Sequence, residues 1–128
     1  MTPALRRLKQ RAEFLRVAGA RRKWSAPGFV LQAGPNQRGD IGFGLTASRK
    51  VGPAVTRNRA RRRLREAARI VLPQLGLPGF DYVLIARADT PRREFAALLA
   101  DLQRAVPRVS QTRSDQTAKQ PARKEGAT

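Results

Sequence analysis

The sequence predicts an α/β fold, a two-layer sandwich in which a small mixed four-stranded sheet packs against about three helices. Three observations lead there. In "IGFGLTAS", residues 41–48, Ile41, Phe43, Leu45 and Ala47 alternate with Gly42, Gly44, Thr46 and Ser48, the period of a strand with one apolar face. "FDYVLIARA", residues 80–88, is a nearly continuous apolar run, as in a strand buried on both faces. Residues 60–71 and 95–106 instead carry apolar side chains at helical spacing, so strands and helices alternate along the chain.

In chain order, "LKQRAEFLRVAG" predicts a short helix over residues 8–18. Leu8, Ala12 and Leu15 share its stripe, Phe14 and Val17 lie well round from it, and Gly19 offers a C-terminal stop. "WSAPGFVLQAG" predicts an extended run over residues 29–32, preceded by a separate short strand at Trp24. "GPNQRGD" is turn chemistry and leads into the alternating strand, whose glycine face admits close approach by another element. "RKVGPAV" reads as a loop. The helix that follows runs to about Leu72 and is closed by Pro73. "TPRREFAALLADLQRAV" predicts a final helix with Thr90 as N-cap and Pro91 at the first position. Its stripe is Phe95, Leu98, Leu99, Leu102 and Val106.

Composition breaks near residue 108. "RVSQTRSDQTAKQPARKEGAT" has one valine and no larger apolar side chain, too little to offset the entropy of ordering. The expected organisation is one domain over residues 1–107 and a disordered, basic, polar tail over 108–128.

Charge bounds the function. The 128 residues hold 27 Lys and Arg against 9 Asp and Glu, a net +18. Self-repulsion at that charge destabilises a compact state unless a polyanion neutralises it, and nucleic acid is the first candidate. The chain has no cysteine and no histidine, which excludes disulfides, thiolate nucleophiles, Cys/His zinc sites and imidazole catalysis. No apolar run approaches the roughly 18 residues of a membrane span. "MTPALRRLKQR" is basic and amphipathic but lacks the apolar core and cleavage site of a secretory signal, so a cytoplasmic location is expected.

The charge is concentrated in "TRNRARRRLREAAR", residues 56–69, with seven arginines and one glutamate in fourteen positions. At 100° per residue, Ala60, Leu64, Ala67 and Val71 fall in one sector with Ala68 at its edge. Arg61, Arg62, Arg65 and Arg69 lie opposite, flanked by Arg59. Such a helix packs with one side and offers a continuous guanidinium surface with the other. A merely solvated face needs two or three arginines, not seven, so an RNA- or DNA-binding helix is the reading from composition and period.

"RNRARRRLREAAR" resembles the Arg-Asn-Arg signature of the protein subunit of bacterial ribonuclease P, and the likeness extends well beyond it. "GLTASRKVGPAVTRNRARRRLREAAR" has that family's order of glycine-bearing strand, basic Ser-Arg-Lys step, Gly-x-Ala-Val loop and arginine helix. "EFLRV", "FVL" and "YVLIAR" resemble its first helix, an early strand and its last strand, so the likeness covers residues 5–107. It implies an accessory protein of the holoenzyme that removes the 5′ leader of precursor tRNA, with the large RNA subunit and its Mg2+ ions as the catalyst. The implied partners are that RNA and precursor tRNA, with no membrane, no small-molecule substrate and no metal or cofactor held by the protein. RNA-subunit binding would fall on Arg57, Asn58, Arg59, Arg61, Arg62, Arg65 and Arg69, with Arg49 and Lys50 in the adjacent step. A cleft between the first helix and the sheet, lined by Phe14, Val30, Thr46 and Ala86, would take the single-stranded leader. The resemblance also implies a left-handed crossover around the arginine helix, against the general right-handed rule.

Two positions depart from the family's cleft: Ala18 and Gln32 stand where aromatics are common, which predicts leader contacts carried more by charge and hydrogen bonds. No catalytic constellation is legible. Glu13, Asp40, Glu66, Asp81, Asp89, Glu94, Asp101, Asp115 and Glu125 are scattered, and Asp81 and Asp89 bracket the last strand. Ser48 and Lys50, beside Arg49, suit phosphate contact better than nucleophilic chemistry, and there is no Walker-type loop. The runner-up reading is a structural RNA-binding protein of ribosomal type. A self-sufficient nuclease lacks its residues, and a membrane-surface helix would need bulky apolar side chains where this one has alanines.

Overall fold

The computed structural model describes residues 5–110. The elements are β1 (Leu5–Arg7), α1 (Arg11–Gly19), β2 (Arg22–Ala26), β3 (Phe29–Pro35) and β4 (Ile41–Thr46), then a 3-10 turn (Arg49–Val51), α2 (Ala54–Leu75), β5 (Phe80–Ala86) and α3 (Phe95–Ser110). The sheet has five strands, in the order β1-β4-β5-β3-β2, one more than expected. The addition is β1, which pairs parallel to β4 with Leu5 beside Ile41, Arg6 beside Gly42 and Arg7 beside Phe43. Three residues, two of them arginines, carry no alternation to read. Pairing with β4 makes this segment a strand.

The sheet is mixed. β2–β3 and β3–β5 are antiparallel, and β4–β5 is parallel. α2 connects these two adjacent parallel strands. Strand parity then assigns side chains to faces. Phe29, Leu31 and Ala33 of β3, Ile41 and Phe43 of β4, and Tyr82, Leu84 and Ala86 of β5 join the main core beneath α2 and α3. This is the predicted sheet-on-helix sandwich. α1 crosses the other face with a small core of its own, in which Leu8, Val17 and Val83 are buried and Phe14 and Ile85 partly so.

The stripe of α2 is as the period predicts: Ala60, Leu64, Ala67, Ala68 and Val71 are all buried, and Leu72 with them. A fully buried leucine such as Leu64 contributes about 2 kcal/mol. Pro73 does not close the helix, which runs to Leu75. So near the C-terminus the ring removes a single bond, to the Arg69 carbonyl, and only a short stretch beyond it must tolerate the change. α3 carries a proline in its last turn too, Pro107, and continues past the composition break so that Val109 and Ser110 are buried. The rest of the expected tail, residues 111–128, lies outside the described residues.

Two predicted boundaries move. Thr90 does not cap α3, which starts at Phe95. Its hydroxyl accepts the Arg87 N–H (2.7 Å) and donates to the Gly28 carbonyl (2.6 Å), pinning the β5–α3 loop to the β2–β3 hairpin. In α1 the inward residues are Val17 and Phe14, whereas Leu15, assigned to the stripe, is 57% exposed. The left-handed backbone that ends this segment falls on Arg21, not Gly19.

Candidate nucleic-acid interface

α2 begins after a constrained approach. Ser48 Oγ accepts the Lys50 N–H (3.3 Å), the 3-10 turn closes, and Gly52 takes φ 145°, a value that disfavours any side chain. Arg49 and Lys50 are exposed on this turn, next to the start of the helix. Along α2 the outward ridge is Val55, Arg59, Arg62 and Arg69, all exposed, with Val55 at 81%. Arg61 and Arg65 are half-buried on one flank, and Arg61 donates to the exposed Asn58 Oδ1 (2.8 Å). Among the described residues none of these arginines has an ion-pair partner, although Glu66 stands between Arg62 and Arg69 in sequence.

Three arginines of the segment are partly committed to the fold. Arg57 donates to the Gly52 carbonyl (3.1 Å) and so closes the turn onto the helix. Arg59 Nε donates to the Pro91 carbonyl (3.2 Å), while the residue as a whole stays exposed. Arg63, half-buried, donates to the carbonyls of Thr90 (3.1 Å) and Arg93. Burial, and then the nearby Arg59 charge, pull its guanidinium below the usual arginine range. Omitting Arg63 from the binding set agrees with this anchoring.

The other face of the sheet holds a cleft beside α1. Strand register aligns Val30, Ile85 and Thr46 in one row across β3, β5 and β4. All three are half-buried, and the row spans about 10 Å, two strand spacings. Phe14 stands over the next row, where Gly44 makes room: a Cβ there would lie 2.6 Å from the ring. Lys9, Arg11, Phe14 and Thr46 line a hollow of about 360 Å³ at the cleft mouth. Ala18 lies exposed one turn beyond Phe14, and Gln32 is half-buried beside Val83.

Phe14, Val30 and Thr46 thus meet as the sequence implied, and Ala86 does not. It pairs with Phe29 on the opposite face, buried in the main core. Ile85 fills the cleft row instead. A run apolar on both faces gives no parity, so the sequence could not choose between neighbours there. Lys9 and Arg11, at the start of α1, line the hollow too but were not singled out from the sequence, since basic residues about the first turn of a helix look like solvated surface. The carboxylates read as scattered are not all so: Glu13, Asp40 and Asp81 converge on Arg6. Among the described residues no group of such side chains is placed to hold a metal ion, and no helix is long and apolar enough to cross a membrane.

A basic helix on one face and a half-open cleft on the other is an arrangement with known relatives. The profile of the Ribonuclease P family matches residues 2–110. The chain belongs to the Ribonuclease P family. The Ribonuclease P protein component of Paramagnetospirillum magneticum is 48% identical over 126 residues, covering 94% of this chain and 95% of that one. That of Ruegeria pomeroyi is 53% identical over 103 residues, covering 77% and 82%. The solved RNase P protein from Thermotoga maritima superposes with a TM-score of 0.69 at 27% identity, covering 80% of this chain and 96% of that one. The Staphylococcus aureus RNase P protein gives 0.66 at 25%, covering 77% and 89%. Membership of the Ribonuclease P family gives the chain its role in 5′ processing of tRNA, within an endoribonuclease whose catalyst is RNA.

Proposed function

We propose that the chain docks on the catalytic RNA of ribonuclease P through α2 and holds the single-stranded 5′ leader of precursor tRNA in the cleft beside α1. The observation that carries this reading is the bare cationic ridge of α2: Arg59, Arg62 and Arg69, with Arg61, Arg65, Asn58, Arg49 and Lys50 about them and no carboxylate paired among the described residues. Charge of that density, left uncompensated by the fold, is neutralised by phosphate. Arg57 acts partly by bracing the turn that aims this ridge.

The leader lies in the cleft formed by Phe14 and the row of Val30, Ile85 and Thr46, with Lys9 and Arg11 at its mouth for the backbone. One base stacks on the Phe14 ring, a contact of about 1–3 kcal/mol. Gln32 and Ala18 leave that ring without aromatic neighbours, so charge and hydrogen bonding carry the remainder. The protein does no chemistry on the phosphodiester; Mg2+ enters through the RNA subunit, and the complex works in the cytoplasm. A ribosomal-type structural role is not favoured, because the family match covers the whole described domain.

The test is RNA-subunit affinity across a salt series. The dependence of log K on log salt should have a slope on the order of −4 for about five neutralised phosphates. Changing Arg59, Arg62 and Arg65 together to alanine should bring the slope closer to zero by roughly 2 to 3 and weaken binding at every salt concentration. An unchanged slope in the triple variant refutes docking through α2.

A further inference from the structure

We propose that Arg6 is the positioning residue of the leader cleft: it fixes α1 over the sheet and thereby sets where the Phe14 ring stands. The inference rests on the reading of that cleft as the leader site. α1 needs such a fixture, because its own core is small, with Leu8, Val17 and Val83 as the buried residues. The main core beneath α2 and α3 does not reach it.

Arg6 lies on the three-residue edge strand β1, on the face that α1 covers, and its guanidinium fork joins three parts of the fold. Nη1 donates to Glu13 Oε2 of α1 (2.9 Å). Nε donates to Asp40 Oδ2 (2.8 Å) in the β3–β4 turn. Nη2 donates to Asp81 Oδ1 of β5 (2.7 Å), a side chain only 1% exposed. Asn36 donates to the same Asp81 oxygen (2.8 Å) and to the Asp40 carbonyl (3.0 Å), so the anionic partners are themselves held. The fork lies across β4 at Gly42, where a Cβ would come within 2.2 Å of Asp81 Oδ1 and 2.8 Å of Arg6 Nη2. Any larger residue at position 42 displaces the arrangement.

Glu13 carries the connection into the helix. Its Oε1 accepts the backbone N–H groups of Lys9 and Gln10 (both 3.0 Å), which caps the first turn of α1. Those two N–H groups, followed by the Arg6 cation, hold its carboxyl below the usual range, so it is an anion throughout the neutral region. Phe14 is the next residue. Among the described residues Asp81 Oδ2 has no hydrogen-bond partner, and Arg16 Nη2, one turn further along α1, lies 4.0 Å from it. Two points of the helix are therefore referred to one buried carboxylate. A carboxylate–guanidinium fork holds position more sharply than apolar contact, because both its distance and its plane are fixed.

The experiment uses holoenzyme assembled from the full chain and its RNA subunit. It compares affinity for precursor tRNA with affinity for the same tRNA lacking the leader. The wild-type protein should tighten binding only when the leader is present; if it does not, the cleft reading itself fails, whatever Arg6 does. Given that tightening, Arg6→Lys keeps the charge but loses the fork, and Glu13→Gln keeps the capping oxygen but loses the anion. Each should reduce the leader-dependent gain by about tenfold, the worth of one stacked base, with leaderless affinity and RNA-subunit affinity unchanged. If either folded variant retains the full gain, or loses leaderless and RNA-subunit affinity equally, Arg6 is a structural residue only and the proposal is overturned. Should Arg6→Lys not fold, Glu13→Gln decides alone, since its change is confined to one leg of the fork.

Discussion

Arg62 on α2 and Arg6 on β1 are the same side chain under opposite conditions. Arg62 is exposed and, among the described residues, has no ion-pair partner; Arg6 meets three carboxylates within 2.9 Å. The hydrogen bond that Arg6 donates to Asp40, with the charges of Asp81, Asp40 and Glu13, raises the Arg6 pKa still further against the opposing effect of burial. One cation is spent inside the fold and adds little to the outer field, whereas the other is available to a polyanion. The +18 total is a property of the whole chain, whereas the pairing pattern distinguishes the cations neutralised within the fold from those left open to a polyanion.

That contrast can be broken most forcefully from the inside. Asp81→Ala leaves Arg6 and Asn36 short of a partner, and should cost about 3 kcal/mol of stability by chemical denaturation. This is the low end for a broken buried pair, because Arg6 keeps Asp40 and Glu13. Arg62→Ala should do the reverse: stability within about 0.5 kcal/mol of wild type, since only like-charge repulsion and solvent contacts change, but weaker RNA binding. Equal destabilisation by both would dissolve the distinction.

If the Phe14 ring stacks a leader base as proposed, Phe14→Ala should weaken binding of precursor tRNA by about 1–2 kcal/mol, measured by titration of the assembled holoenzyme, while leaving leaderless tRNA unaffected. The smallest effect concerns pH. The folded state holds the Glu13 carboxyl below its ordinary value. Its contribution is therefore fully present above the unfolded pKa and is lost as pH falls through the lower, folded one. Acid titration of stability should show a loss below the ordinary glutamate range that Glu13→Gln diminishes.

The two regions also differ in how far they could be read. The α2 face follows from a local period: Ala60, Leu64, Ala67 and Val71 lie within one sector, so their burial and the outward aim of Arg62 and Arg69 come from spacing alone. The Arg6 hub joins residues up to 75 positions apart, and β1 exists as a strand only through its partner β4. No local pattern carries either fact. β5 was legible as a strand but not in parity, because an almost wholly apolar run does not tell its two faces apart, so nothing local could check the Ala86 that the resemblance implied against Ile85, which the register puts beside Val30. Thr90 and Pro91 fit the usual start of a helix, yet that hydroxyl is engaged by Arg87 and Gly28, and the helix waits until Phe95. Capping signatures specify a local hydrogen bond. They do not specify which N–H receives it.

The central claim, that the arginine ridge seats this protein on the catalytic RNA so that the leader can be held, is tested most directly by cleavage of precursor tRNA at low Mg2+. The reaction is run with the RNA subunit of the same organism, first alone, then with the protein, then with the variant changed to alanine at Arg59, Arg62 and Arg65. The account predicts cleavage restored by the wild-type protein and not by the folded variant. Restoration by both, or by neither while the wild-type protein still binds RNA, would contradict it.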